Sequence, residues 1–543
     1  MIKILQFCKV YMMKHKISIS GYVLICIFSS FFSLASPYIS GNFIDLLVTS
    51  KNTDFLIYYC LIFAILSLGG IILSFICNRI YTKLQINIVY ELSRDIIQHI
   101  QQLPISYSTM NDTAYLSQRI NTDTSAVITF CIGIIQNILI NSLMFTVPLV
   151  MLLSFNISIA FVLIILIIVY LITYNLFKKP LFKNSYEYRE KQSVFFNKLH
   201  EQLLHIKFIK RHGMSNCFVE RLKNTFKYMI NSALKYQKIS YLFSGLDNMI
   251  MTLTQLALFI FGGVEVIRGN LTIGQFTIIS SYFIMMMGAI RYFFNLGKVV
   301  QDSLVSYNRL MDIVNIQPET NGALQIDRVD MIQANDLTFS YADKLVLNHF
   351  SATFQKGNIY TIVGMNGSGK TTLVSLLLGL YIDENQGDIL YNGIPIQQID
   401  MQHARRELIG ISEQEPVVIG DTIRYNLLLS EQDELNDMHL IPLLSMLGLD
   451  EYINKLSCGL DTILDEKASN LSGGEKQKIS ILRVLLKNPN VMILDEPTSA
   501  LDENSRERLQ AYLKSIKHEK IIIIITHDVF LIDICDKSLM LYC

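Results

Sequence analysis

The chain has 543 residues, 51% of them hydrophobic and 17% charged, and a formal net charge of zero. It is too long for one domain and more apolar than an average soluble protein, and a neutral chain offers no electrostatic case for nucleic acid. The nine cysteines are scattered, several inside apolar runs, with no C-x-x-C pair, so they read as small buried apolar residues and not as a zinc site or a disulfide framework.

Lys3, Lys9, Lys14 and Lys16 precede the first apolar run. A signal peptide would also begin this way, but no convincing small-residue cleavage site follows and further apolar segments do, so a first membrane helix is expected. It covers Tyr22 to Ala35, with Pro37-Tyr-Ile-Ser-Gly41 marking its outer end. No charged residue occurs between Asp54 and Arg79, which is enough for a second span. The uncharged stretch between Asp123 and Lys178 is too long for one helix and breaks best at Ser154-Phe-Asn156, giving two more. A fifth span is expected from about Asn248 to Val264 and a sixth from Leu271 to about Ile290, six in all.

The N-terminal lysines, Arg79, Lys83, Arg94, Lys178, Lys179, Lys183 and Arg189 fall on one side of these spans, and the opposite loops are short. Both termini are therefore expected in the cytoplasm. The cytoplasmic connections 80–122 and 178–247 are long and helical in pattern, so the membrane helices are expected to continue as arms beyond the bilayer. Pro104 and His212-Gly213 are the expected breaks in them. At the inner end of the sixth span, Arg291 reads either as a snorkelling anchor or as a charge facing a water-filled cavity. Met285-Met-Met287 reads as helix packing, with an adaptable cavity lining as the alternative.

After about Ile316 the composition changes. Gln317-Pro-Glu-Thr-Asn-Gly322 is loop-like, and strands alternate with helices from Ile332 onward, as in an α/β domain. The division expected is a transmembrane domain over 1–316, a linker over 317–331 and a nucleotide-binding domain over 332–543. Gly364-Met-Asn-Gly-Ser-Gly-Lys-Thr-Thr372 fits G-x-x-x-x-G-K-[ST] and lies between an apolar strand and an apolar helix, the context that motif needs. Backbone N–H groups of such a loop, with Gly364, Asn366, Gly367, Ser368, Gly369 and Thr372, converge on phosphate. Lys370 would reach the outer phosphates of a nucleoside triphosphate, and Thr371 would hold a bridging Mg²⁺.

Val491-Met-Ile-Leu-Asp495 is an apolar strand ending in a carboxylate placed to hold Mg²⁺ through water, and Glu496 follows as a group to polarise an attacking water. Ile521-Ile-Ile-Ile-Ile525 is a second apolar strand, and it delivers His527 to sense the terminal phosphate.

Leu471-Ser-Gly-Gly-Glu-Lys-Gln477 resembles the signature of ABC-transporter ATPases. Gln414 is similar to that family's Q-loop glutamine, Ser499-Ala-Leu-Asp502 to its D-loop, His527 to its switch histidine, and Tyr341 to the aromatic that stacks on adenine. Leu103-Pro-Ile-Ser-Tyr107, Leu116–Asp123 and Gly269–Gln275 resemble parts of the exporter membrane domain, so the likeness covers nearly the whole chain. It implies a six-helix membrane domain with long cytoplasmic extensions, fused to an α/β phosphate-loop ATPase domain of ABC type. It implies ATP and Mg²⁺ as cofactors, with Thr371, Gln414 and Asp495 at the metal.

The same resemblance implies a second half-transporter subunit, as a homodimer or a heterodimer, whose Ser472, Gly473, Gly474 and Asp502 close over the nucleotide of the first. Glu496 and His527 would then complete catalysis. The implied activity is ATP-driven export of a peptide or amphipathic molecule from a bacterial inner or plasma membrane, with a lipid flippase or a non-transporting channel or regulator as alternatives. Two departures stand out: Asp465 and Ala468 flank the retained Glu466 where exporters often carry glycines, and the chain stops at Cys543 where the family usually continues with a further strand and helices.

Overall fold

The computed structural model describes every residue except 50–53, 111–112, 156, 342–343, 366, 383, 430–436, 466–469, 500 and 542–543, and at 54, 108, 110, 113–115, 118, 157–167, 298 and 437–439 the backbone alone. The chain divides into two compact units, Met1–Ile97 with Leu116–Asn315, and Gln98–Tyr115 with Ile316–Cys543.

The first unit is built of helices. After the short α1 (Ile2–Lys14) come α2 (Lys16–Thr49), α3 (Asp54–Gln101), α5 (Thr113–Phe155), α6 (Ile157–Leu204), α8 (Ser215–Ile267) and α9 (Ile273–Val314), with α4 (Ile105–Met110) and α7 (Ile206–Arg211) as short pieces between them. Five of the long helices carry, within the described residues, a stretch apolar enough to cross a membrane. α6 begins with the uncharged sequence 157–177. At about 1.5 Å per residue, a 48-residue helix such as α3 rises about 72 Å, more than twice the ~30 Å hydrocarbon core, so the expected arms are continuous helix. The arms break next to Pro104 and at Gly213, whose φ of 64° favours a residue without Cβ, and again at His205.

Pro37 and Gly41 do not end the first span; α2 runs through both to Thr49. Proline inside a helix removes a single backbone hydrogen bond, and here α2 is held against α9 from Leu34 to Asp45. Tyr282 donates its buried hydroxyl to the Leu34 carbonyl at 2.9 Å. Gly41 and Gly274 bring the two backbones together: a Cβ on Gly274 would lie 2.0 Å from the Gly41 carbonyl oxygen. Asp45 then accepts from the Gly274 amide at 2.7 Å and from the Thr272 hydroxyl at 2.5 Å, satisfying donors at the start of α9. Met286 and Met287 are buried with Tyr282, Phe283 and Ile290 in one apolar cluster, so they pack as core.

The second unit has two sheets. β1 (Met331–Tyr341), β2 (Lys344–Gln355), β4 (Gln386–Tyr391) and β5 (Ile394–Pro395) form an antiparallel sheet in the order β2-β1-β4-β5. Simple alternation of strand and helix had not anticipated it. β3 (Ile359–Gly364), β6 (Ile409–Ser412), β7 (Val491–Asp495), β8 (Ile521–Ile525) and β9 (Lys537–Leu541) form a parallel sheet in the order β6-β7-β8-β3-β9.

β8 is five isoleucines because both faces of this sheet are covered. Ile521, Ile523 and Ile525 enter one apolar core, while Ile522 and Ile524 enter the other. β9 is a strand that follows His527 and pairs with β3. The stretch expected as a linker is laid onto this unit: the Gly322 amide donates to the Ile399 carbonyl, and Asn321 donates to Asp400.

Candidate nucleotide site

All five parallel strands point their carboxyl ends at one edge, and four of them deliver the chemistry-bearing residues there. β3 ends in the phosphate loop, and β6 is followed by Glu413 and the exposed Gln414. β7 ends at Asp495-Glu496, and β8, lying between β7 and β3, is followed by His527. This strand order brings residues as far apart in sequence as Gly364 and His527 to one place.

The loop from Gly364 to Lys370 is shaped by glycine. Gly367 and Gly369 have φ of 85° and 90°, and Gly369 sits just before α10 (Lys370–Leu377). A Cβ on Gly364 would lie 2.5 Å from Ser368 Oγ. Lys370 Nζ donates to the Gly364 and Met365 carbonyls at 2.6 and 3.2 Å and lies 3.3 Å from His527 Nε2. Ser368 Oγ is buried without a hydrogen-bond partner among the described residues. A lysine resting on its own loop, an orphaned hydroxyl and a glycine cradle at the start of a helix fit an anionic, phosphate-bearing ligand. Thr371 is exposed beside them, Thr372 is buried, and Asn366 lies outside the described residues.

Asp495 is buried, and burial first, then the Glu496 and Glu413 carboxylates, push it up to about 6 against the pull of Lys370. Glu496 has a φ of 48°, strained for a residue with a Cβ. It is held there by its amide, which donates to the Ile525 carbonyl at 2.8 Å, and by its carbonyl, which accepts from Gln477 Nε2. Gln477 is buried in the helix Gly473–Lys487 and also bonds Ser499 at 3.0 Å. Its positioning role was not foreseen. The clue is its place on the same helical face as the buried Ser480, Ile481 and Val484.

Ser472 caps that helix in a reciprocal box with Glu475, leaving Gly473 and Gly474 in its first turn. Among the described residues no hydrogen bond links Ser472, Gly473 or Gly474 to the phosphate loop. Asp502 caps the helix Glu503–Ile516 through the Ser505 amide and hydroxyl, at 2.8 and 2.9 Å, so in the single chain its carboxylate is engaged locally. Tyr341 is 44% exposed, with its hydroxyl 3.3 Å from that of Tyr381 and 3.4 Å from Thr372 Oγ1. The side chain thus lies beside the helix that follows the phosphate loop, partly exposed and set perpendicular to the rings of Phe339 and Tyr381. Of the departures noted in sequence, Glu466 and Ala468 lie outside the described residues.

In the other unit, Arg291 has a partner that sequence did not reveal. It forms an ion pair with Asp247 of α8 at 2.8 Å, the two side chains being 36% and 15% exposed.

A phosphate-binding loop, a carboxylate-tipped strand one place removed in the same sheet and a unit of membrane-length helices on one chain define a membrane protein driven by a nucleoside triphosphate. Residues 19–290 match the family described as ABC transporter transmembrane region and residues 347–499 match the family described as ABC transporter. The chain belongs to the ABC transporter family.

It is similar to the ATP-dependent lipid A-core flippase of Syntrophus aciditrophicus, with 27% identity over 94% of this chain and 85% of the relative. The lipid A-core flippase of Haemophilus ducreyi is 28% identical over 83% of this chain and 78% of its own. In fold the chain is similar to a bacterial Atm1-family ABC exporter solved with ATP bound, with a TM-score of 0.82, 21% identity, and coverage of 97% of this chain and 93% of that one. It is an integral, multi-pass half-transporter of exporter architecture that binds ATP and couples its hydrolysis to transport. Half-transporters of this kind work as dimers.

Proposed function

We propose that this half-transporter moves a lipid-like amphiphile across the bacterial inner membrane, as one half of a homodimer. Two relatives that align over 83–94% of the chain carry the name lipid A-core flippase, and this supports the substrate class. Glu496 and His527 are present beside an intact signature, which supports two equivalent sites and hence a homodimer in place of a heterodimer with one degenerate site. The lysine- and arginine-rich side of the spans supports a cytoplasmic placement of both termini and of the ATPase unit.

In this reading the loop amides of Gly364, Gly367, Ser368 and Gly369, with Asn366, Thr372 and Lys370, hold the phosphates, and the Tyr341 ring takes the base. Thr371, Gln414 and Asp495 would hold Mg²⁺, which neutralises charge on the phosphate oxygens. Ser472, Gly473 and Gly474 of the second subunit would present donors to the terminal phosphate from the far side, with Asp502 at the same junction. Glu496 takes a proton from the attacking water, and His527 orients the terminal phosphate.

The single observation that carries this reading is the convergence of the phosphate loop, Asp495-Glu496 and His527 on one edge of the parallel sheet. Glu496→Gln should retain ATP binding while turnover falls by about 10²-fold or more. Lys370→Ala should instead weaken nucleotide binding itself. Wild-type turnover in the first, or wild-type affinity in the second, would contradict the assigned roles.

A further inference from the structure

The helix that begins at the phosphate loop has a second functional end. α10 stops at Leu377, and three consecutive carbonyls beyond its core are capped from outside. Tyr391 donates to the Leu377 carbonyl at 2.6 Å, and Arg405 Nη1 donates to those of Leu378 and Gly379 at 3.3 and 3.2 Å. A cation at a helix C-terminus is favoured by the helix dipole. Arg405 does more than cap, because its other terminal nitrogen donates to Glu319 Oε1 at 2.7 Å. The pair is largely sheltered, with side chains 22% and 16% exposed. Arg405 lies in the π-helical turn Ala404–Leu408, where the wider winding re-aims side chains relative to an α-helix.

Glu319 stands where two covalent crossings from the membrane helices meet. It follows α9, the last membrane helix, by five residues in the 316–330 segment. Its amide donates to the Gln102 carbonyl at 2.7 Å, and Gln102 is the residue next after α3. One ion pair thus connects three things: the C-terminal end of the phosphate-loop helix, the chain leaving α9 and the chain leaving α3. The guanidinium fork allows this, since one nitrogen faces the helix carbonyls and the other faces the carboxylate.

We infer that the Arg405–Glu319 pair is a coupling strut, by which nucleotide binding at the start of α10 is transmitted to the arms of α3 and α9. The inference rests on the phosphate-site reading above. Arg405 and Glu319 are positioning residues, since neither touches the phosphate loop.

The test is hydrogen–deuterium exchange of the full-length dimer in lipid nanodiscs, with and without ATP and vanadate, together with ATP titration. In the wild type, exchange should change both over 359–378 and in the arms, over 84–97 and 300–314. In Glu319→Gln and Arg405→Gln, ATP affinity should stay within about threefold of wild type and the change over 359–378 should persist, while the arm response falls by half or more. Arg405→Lys, which keeps the charge without the fork, should show the same dissociation of site from arms.

A wild-type arm response in Glu319→Gln overturns the strut. So does loss of nucleotide affinity in Arg405→Gln with an unaffected Glu319→Gln, since Arg405 would then be a helix cap alone. Lys370→Ala is the separate control: if it binds ATP like wild type, it is the phosphate-site reading that fails, whatever the arms do.

Discussion

At the scale of single residues, the ATPase edge holds a carboxylate, Asp495, whose ionisation is opposed by burial. Asp495 has a folded-state pKa of about 6 against an ordinary 3.8, mainly through burial. The folded protein therefore binds this proton more tightly than the unfolded chain does. The stabilising contribution is complete below about pH 4, falls as the pH rises towards 6 and is level above that. Asp495→Asn should remove this fall. The nucleotide-free variant should lose less melting temperature than wild type between pH 4 and pH 7, while its ATP turnover drops by about 10²-fold or more. Thermal melts at the two pH values check the first part, and an identical pH dependence in both proteins would show that the ionised carboxylate carries no such cost.

These residues were legible in sequence because each ends a short apolar strand or belongs to a motif with fixed spacing. Gln477 and Arg405 were not. Gln477 acts through backbone contacts with Glu496, and Arg405 through carbonyls 26–27 residues away; no spacing rule encodes either.

At the scale of elements, helix existence and approximate position followed from the apolar runs, and the arms followed from the length of the helical connections. What the runs did not show was how helices contact one another. Pro37 read as an end because a proline usually interrupts a helix, but the contact of Gly41 with Gly274 and the Asp45 carboxylate at the start of α9 keep α2 intact. Gly274→Ala places a Cβ against backbone that cannot move aside, so it should destabilise the membrane unit by about 1–3 kcal/mol. Unfolding in mixed micelles measures this, and an unchanged midpoint would show that the two helices separate freely.

The partner of Arg291 was likewise invisible, because Asp247 lies 44 positions away and joins it only through the packing of α8 against α9. Arg291→Gln leaves the sheltered Asp247 carboxylate unpaired. It should cost stability, though less than the ~3–5 kcal/mol of a fully buried pair, and Asp247→Asn in the same chain should recover part of the loss. Additive losses in the double variant would show that the two groups do not depend on each other.

At the scale of the whole molecule, the signature and the phosphate loop make sense as two halves of a site shared between copies. Ser472→Arg should therefore block hydrolysis although its own phosphate loop is untouched. Dimers mixed from Ser472→Arg and Lys370→Ala should regain at most one working site, and full-rate hydrolysis by monomers in detergent would contradict the sharing.

The most direct test of the account as a whole is ATP-dependent translocation in proteoliposomes loaded with a lipid A-core glycolipid, read by its accessibility in the opposite leaflet. Wild-type protein should move the glycolipid only with ATP and Mg²⁺, and Glu496→Gln should bind ATP and leave the glycolipid where it started. Movement at the same rate without ATP or by Glu496→Gln, or brisk hydrolysis by wild type with the glycolipid stationary, would contradict ATP-driven lipid transport by this chain.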